Sequence, residues 1–268
     1  MSDIHIAFGV TPDWIKYTFV TVCSILCHAK SDDRYTFYIM SDTKDINFSK
    51  VLNKLNEIKP ANYRFIKMVN SEFNGAVHDW LGVSSSYRLK LSSIVKEDKI
   101  LYLDSDIIAL KDISELYSYD ISDYYLGAVE DKWSAIMKPR AGLGEDDIFY
   151  NGGVQLMNLK KMRENNFEPQ VFDKLREIHY YTDQDVINDI CRKNILRLPL
   201  KYNLMPLAGE ENYSTCKEEF NEAMKDPVIL HFTDKPWDME VNYGDYWFNY
   251  AKMIQPEIFS LIKEGKLK

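Results

Sequence analysis

Along the opening part of the chain, short apolar runs of strand period alternate with longer stretches of helical period. Strands are predicted at residues 4–8, 35–40 and 63–69, and helices at 14–28 and 48–58. Such alternation implies βαβ units, hence a mostly parallel, twisted sheet covered by helices on both faces. From 84 to 95, Tyr87, Leu91, Ile94 and Val95 stand at i, i+4, i+7 and i+8, one helical stripe facing the core. Arg88 falls off the centre of that stripe. The next apolar run, Ile100-Leu101-Tyr102-Leu103, stops abruptly at Asp104-Ser105-Asp106. Further strands are predicted at 126–129, 153–157 and 228–232. Further helices are predicted at 170–179, 183–192 (with Asp183 near its N-cap) and 245–254. Between them, residues 132–149 are rich in glycine, proline and charge and read as an insertion or a mobile loop over a site. No repeat or linker interrupts the pattern. One α/β domain over 1–240 with a C-terminal helical extension over 241–268 is the simplest organisation.

Composition narrows the class. The chain has 268 residues, 46% apolar and 28% charged, which excludes disordered, collagen-like and coiled-coil proteins. With 33 basic against 41 acidic residues the net charge is −8. That balance argues against a nucleic-acid partner held by counterion release and against general adhesion to anionic membranes. Cys23, Cys27, Cys191 and Cys216 form no CxxC pair and are too sparse for a disulfide scaffold, so they read as reduced core thiols in a cytoplasmic compartment. No secretion signal or membrane span is expected, since every apolar run is shorter than about 18 residues.

The chemistry concentrates at strand ends. Asp104 and Asp106 leave the carboxyl end of an apolar strand, where ligands bind in open α/β sheets. Side chains at i and i+2 share a side, so the two carboxylates can converge on one hard cation, Mg²⁺ or Mn²⁺, bridging to a substrate diphosphate. Taken alone, this tripeptide fits a solvated turn better. A second apolar strand, Val228-Ile229-Leu230, ends at His231, with Lys235 four residues on. An imidazole joining two carboxylates favours Mn²⁺ over Mg²⁺, and Lys235 would meet phosphate charge.

Five segments together resemble glycosyltransferase family 8, in the order of that family and across residues 4–237. They are Ser86-Tyr87-Arg88-Leu89-Lys90-Leu91, Leu101-Tyr102-Leu103-Asp104-Ser105-Asp106, Tyr150-Asn151-Gly152-Gly153-Val154, Asp183-Gln184-Asp185-Val186-Ile187-Asn188, and His231-Phe232-Thr233 with Lys235-Pro236-Trp237. The resemblance implies a GT-A fold and a retaining transferase that moves galactose or glucose from a UDP-sugar to a glycan, lipid-linked glycan or glycoprotein acceptor. It implies that Asp104, Asp106 and His231 hold Mn²⁺ and that Lys235 touches the phosphates. Arg88 looks like the sugar-diphosphate arginine. Asn151, Asp183 and Gln184 match positions lining the donor sugar, and Asp131 is similar to an acidic residue beside the acceptor. Gly9, Thr11, Trp14 and Ser105 fall to the nucleotide-sugar site, with Trp14 stacking on the base. Two features depart from the family pattern: Thr11 stands where an aspartate is usual, and the loop after His231 is short, lacks the usual glycine and carries Asp234.

These residues suit the reaction. Departure of UDP builds negative charge on the β-phosphate, which the metal, Arg88 and Lys235 would stabilise most in the transition state. The amide oxygen of Gln184 is too weakly basic to be a good nucleophile, so attack by the acceptor on the face that UDP leaves is the expected course. Two alternatives stand beside this reading: a non-catalytic UDP-sugar or protein-binding module on the same fold, and more distantly a phosphatase with Asp104 as nucleophile and Asp106 as acid. In the tail, Tyr243, Tyr246, Trp247, Phe248 and Tyr250 precede Lys263, Lys266 and Lys268. That mixture suits either a weak peripheral contact with a membrane or an ordinary helical extension of the core.

Overall fold

The computed structural model describes residues 2–42, 47–74, 82–177, 182–206, 213, 216–232, 234–237 and 243–263. The expected βαβ opening is present. Strand β1 (Asp3–Gly9) leads through helix α1 (Ile15–His28) to β2 (Arg34–Ser41), then through α2 (Ser49–Ile58) to β3 (Asn62–Lys67). A 3₁₀ segment (Val83–Lys90) and the short α3 (Leu91–Ile94) precede β4 (Lys99–Leu103) and β5 (Ile107–Ala109). Then come α4 (Ser114–Ser118), β6 (Leu126–Glu130), β7 (Tyr150–Asn158), α5 (Leu159–Glu164), α6 (Phe167–Glu177) and α7 (Asp183–Cys191). The chain continues through β8 (Ile195–Leu198), α8 (Lys217–Lys225), β9 (Ile229–His231) and α9 (Gly244–Lys263).

Seven strands form one sheet in the order β3-β2-β1-β4-β7-β6-β8. The pairs β1–β2, β2–β3, β1–β4 and β6–β8 are parallel, whereas β4–β7 and β7–β6 are antiparallel. The sheet is thus mixed but mostly parallel. A separate antiparallel pair, β5–β9, sets Ile107 opposite His231. Alternation along the strands feeds two apolar layers: Ile4, Ile6, Phe8, Leu101 and Leu103 face one, and Ala7, Ile100 and Tyr102 the other.

Several expectations shift. The stretch 84–95 is mainly 3₁₀, not α, although Tyr87, Leu91 and Val95 are buried as the stripe requires. A 3₁₀ path there brings Gly9 so close that a Cβ on it would collide with the Ser84 carbonyl. Helix α9 does not stop at 254; it runs through Pro256, because Ile254 and Ile258 bury against the layer formed by α1 and α2. That burial outweighs the helix-breaking cost of the proline. The 132–149 segment carries a 3₁₀ turn (Trp133–Met137) and its own small cluster of Ala141, Leu143 and Phe149. All four cysteines are free thiols; Cys23 and Cys191 are core as expected, but Cys27 is exposed and Cys216 half-buried. No described helix is long and apolar enough to cross a membrane. The expected boundary at 240/241, together with Thr233, Lys266, Lys268 and the predicted helix end at 178–179, lies outside the described residues.

Candidate active site

The site forms where β4 meets β7. The backbone N–H of Asp104 donates to the Gly153 carbonyl at 2.9 Å, so the Asp104-Ser105-Asp106 turn leaves the sheet beside the Asn151-Gly152-Gly153 segment. One face of α1 grips that turn. Thr18 Oγ1 meets Ser105 Oγ at 2.8 Å, Thr21 Oγ1 donates to the carbonyls of Ser105 (3.0 Å) and Ile107 (2.8 Å), and Ser24 Oγ accepts from the Ala109 N–H at 2.9 Å. The Thr21 and Ser24 hydroxyls satisfy backbone groups that would otherwise be stranded in a buried segment.

The β5–β9 pair then delivers the histidine. The Phe232 N–H donates to the Asp106 carbonyl at 2.9 Å, and His231 Nε2 lies 3.4 Å from Asp106 Oδ1. One ligand atom each from Asp104, Asp106 and His231 falls within 4.8 Å of the others. Two carboxylate oxygens and one imidazole nitrogen form a donor set suited to a first-row divalent cation. Gly153 makes the crowding tolerable: a Cβ there would collide with His231 Cε1.

Behind this cluster sits Arg88, only 4% exposed. Its Nε donates to Asp183 Oδ2 at 2.6 Å, Nη2 pairs with the same carboxylate, Nη1 donates to the Gly152 carbonyl and approaches Asp104 Oδ1 at 4.0 Å. The guanidinium also lies over the Tyr102 ring, 4.6 Å from its centroid. A surface ion pair is therefore excluded. Burial works against its charge, yet the facing Asp183, with Tyr102 and Asp104 beyond, holds the guanidinium above its ordinary value. For Asp104, withdrawal from water comes first and the neighbouring Asp106 adds to it, raising the carboxyl against the pull of Arg88. Burial opposes the charge on His231, but Asp106 overrides it and raises the imidazole.

Asp183 is not an N-cap. Thr182 caps α7 in a reciprocal box with Asp185, which frees the Asp183 carboxylate for Arg88 and for Ser85 Oγ, 3.2 Å away. Gln184, one residue on, accepts from the Gly152 N–H at 2.8 Å and reaches Asp131 Oδ2 at 3.5 Å. Asp131 is buried and also takes hydrogen bonds from the Ser134 N–H (2.8 Å) and from Asn151 Nδ2 (3.1 Å).

A cavity of about 360 Å³ opens in front, lined by Gly9, Thr11, Trp14, Ser84, Asp104, Ser105 and Asp106 among others. Trp14 meets Trp237 edge-on at 5.2 Å and lies under Lys235 Nζ, 5.0 Å from its ring centroid. Lys235 thus stands by the aromatic wall of the cavity. The other candidate site residues, from Gly9 and Thr11 through Arg88 and the Asp104 turn to Asp131, Asn151, Asp183, Gln184 and His231, are joined by the contacts above. Missed from the sequence was Asn203, fully buried, whose Nδ2 donates to Asn151 Oδ1 at 2.8 Å and whose Oδ1 lies 2.9 Å from His231 Nδ1. It follows a 3₁₀ turn (Leu200–Tyr202) and carries no local signal beyond being a polar residue in an apolar stretch. Ser85, which holds Asp183, was missed likewise.

The model of glycosyl transferase family 8 matches residues 5–240. The chain belongs to glycosyltransferase family 8. This glycosyltransferase is 27% identical over 266 residues to a lipopolysaccharide 1,2-glucosyltransferase of Escherichia coli, covering 92% of this chain and 78% of that protein. It is 26% identical over 239 residues to a putative glycosyltransferase of Haemophilus influenzae (85% and 70% covered). It is 27% identical over 246 residues to the glycosyltransferase GlyF of Streptococcus pneumoniae, covering 89% of this chain but 58% of GlyF. In fold it is similar to the galactosyltransferase LgtC solved with donor and acceptor sugar analogs, with a TM-score of 0.76, 23% identity and 95% of each chain covered. The expected GT-A type of sheet is thus found, and family membership sets the phosphatase alternative aside.

Proposed function

We propose that this family 8 enzyme is a metal-dependent retaining hexosyltransferase that moves galactose or glucose from a UDP-sugar to a glycan, glycolipid or glycoprotein acceptor. The observation that carries the reading is the Asp104, Asp106 and His231 cluster, whose two carboxylates open onto the cavity that Thr11 and Trp14 also line. The likeness to a lipopolysaccharide glucosyltransferase supports a hexose donor and a glycolipid acceptor. Bound Mn²⁺ or Mg²⁺ would supply positive charge against the leaving diphosphate. Arg88 adds charge from behind Asp104, and Trp14 offers a ring to the base with Lys235 above it for phosphate. Gly9 and Ser105 belong to the same wall.

The state of the carboxylates favours attack on the face that UDP leaves. Asp183 is bound to Arg88, Asp131 takes three hydrogen bonds, and Gln184 presents an amide. None is a poised nucleophile. In this course the acceptor oxygen bonds to the anomeric carbon as the bond to the diphosphate oxygen breaks. The acceptor proton passes to the leaving phosphate oxygen. Asn151, Asp183 and Gln184 then serve to orient the sugar, with Asp131 behind them on the acceptor side. A sugar trapped covalently on Asp131 or Asp183 would overturn this course.

Thermal unfolding with UDP, alone and with Mn²⁺, tests the site against ADP and GDP, since a ligand specific to the folded state raises the midpoint. A rise specific to UDP with Mn²⁺, followed by turnover of UDP-galactose or UDP-glucose, is expected. Equal responses to all three nucleotides reject the uracil preference, and binding without turnover supports the non-catalytic alternative that Thr11 and Asp234 suggest. Peripheral membrane contact belongs to the same reading, because Tyr243, Tyr246 and Phe248 are exposed at the start of α9. Sedimentation with acidic liposomes should weaken when these three are changed to serine.

A further inference from the structure

The hydrogen bonds around Asn203 form a directed chain with one unambiguous end. The Gly153 backbone N–H can only donate, and it points at the Asn151 side chain at 2.8 Å, so the Asn151 atom there is its oxygen. The Asn203 atom 2.8 Å from that same oxygen must then be its NH₂. Its remaining atom, the Asn203 oxygen, faces His231 Nδ1 at 2.9 Å. An oxygen there requires Nδ1 to carry the hydrogen, which leaves the lone pair of the neutral ring on Nε2, the atom facing Asp106 Oδ1 at 3.4 Å. In the neutral ring two lone pairs then face one another with no proton between them, an arrangement that either a second ring proton, which Asp106 favours, or a shared metal ion relieves. The other end of the chain agrees: Asn151 Nδ2, now the donor, meets the carboxylate of Asp131 at 3.1 Å.

The fold makes this arrangement rigid. The Leu204 N–H donates to the Ile229 carbonyl at 3.0 Å and the His231 N–H to the Leu204 carbonyl at 2.8 Å, so the backbone beside Asn203 runs alongside β9. Asn203 itself is fully buried. We propose that Asn203 is a positioning residue that relays the polarity of the Gly153 N–H to His231, fixing the ring in its Nδ1–H form and presenting Nε2 to a divalent cation. The role in catalysis rests on the metal-dependent reading above, while the choice of tautomer does not.

The test uses the full chain and two variants. Asn203→Asp keeps an acceptor for Nδ1, whereas Asn203→Leu is of similar size and removes both contacts. The first readout is the ¹⁵N spectrum of the metal-free protein labelled at histidine, with the ring neutral and with His231→Gln assigning its signals among the five histidines. The wild type should show a protonated Nδ1 and a bare Nε2, retained in Asn203→Asp and averaged between forms in Asn203→Leu. The second readout is Mn²⁺ binding followed by electron paramagnetic resonance, without nucleotide. Asn203→Leu should bind about 10–100-fold more weakly, the usual effect of losing a partner behind a metal ligand, and Asn203→Asp should retain most of the affinity. Melting curves show that each variant folds. A purely structural role predicts the opposite order, because a buried carboxylate beside the Asn151 oxygen disrupts packing more than leucine does. An unchanged tautomer and affinity in Asn203→Leu would overturn the proposal. A wild type that shows the Nδ1–H ring but binds no Mn²⁺ would retire the metal-dependent reading and leave the role of Asn203 in choosing the tautomer standing.

Discussion

The carboxylate side of the site and its amide side are built in opposite ways. Asp104, Ser105 and Asp106 are consecutive, and three hydroxyls of α1 hold their turn and the strand after it through the Ser105 hydroxyl, two backbone carbonyls and an N–H. Asp131, Asn151, Gln184, Asn203 and His231 come from five segments and are joined mainly side chain to side chain. The first arrangement is parallel: each hydroxyl makes its own contact, so losing one leaves the others. The second is serial, and the orientation of every amide depends on the one before it. A site can thus combine a robust arm with a fragile one.

The arms meet where His231 faces Asp106, and Arg88 ties Asp104 from behind to Asp183 and the Gly152 carbonyl. The largest effect is therefore expected from Arg88→Leu, which strands the buried Asp183 and should cost about 3–5 kcal/mol, measured by urea unfolding. A smaller loss would show that Asp183 finds water or another donor. Next comes a break confined to the serial arm. Gly153→Ala drives a methyl into the His231 ring and should destabilise by about 1–3 kcal/mol. It should also abolish Mn²⁺ binding, as a titration would reveal.

A cut in the parallel arm should be milder. Thr21→Val removes one hydroxyl that serves two carbonyls, and about 0.5–1.5 kcal/mol is expected for a net hydrogen bond. Mn²⁺ affinity should hardly change, since Thr18 still holds Ser105 and Ser24 still holds β5 behind the turn. A loss of affinity as severe as in Gly153→Ala would erase the contrast between the arms. The smallest effect lies away from both. Burial holds His28, bonded through Nε2 to the Tyr250 hydroxyl at 2.8 Å, below its ordinary value of 6.5, and Asp112 only partly offsets this. The unfolded chain therefore takes up that proton more readily, and stability should fall as pH drops below 6.5. His28→Gln should flatten that fall in melting curves recorded across pH, without touching metal affinity.

Local pattern made the robust arm legible and hid the fragile one. The apolar run ending at Asp104 and the i, i+2 spacing of its carboxylates are properties of a short segment, and they announce both the strand and the turn. The Asn151-Gly152-Gly153 and Asp183-Gln184 segments were recognisable as members of a set. Their pairing was not, and Asp183 could be read as a cap until Thr182 was seen to hold that place. Arg88 sat off the predicted stripe, and its burial followed only from a 3₁₀ path and from carboxylates far along the chain.

From the sequence by itself came the alternating elements of the first half, the mostly parallel sheet, the two-carboxylate turn and the resemblance that five ordered segments carry. These depend on backbone periodicity and side-chain chemistry within a few residues of one another. Tertiary structure alone decided that α9 runs through Pro256, that Lys235 stands over Trp14, and that Asn203 reaches His231. Each depends on segments distant in sequence meeting at one spot. A hydrogen bond or an apolar contact is worth its energy only once the fold has brought both partners together, and no local spacing encodes where that will be.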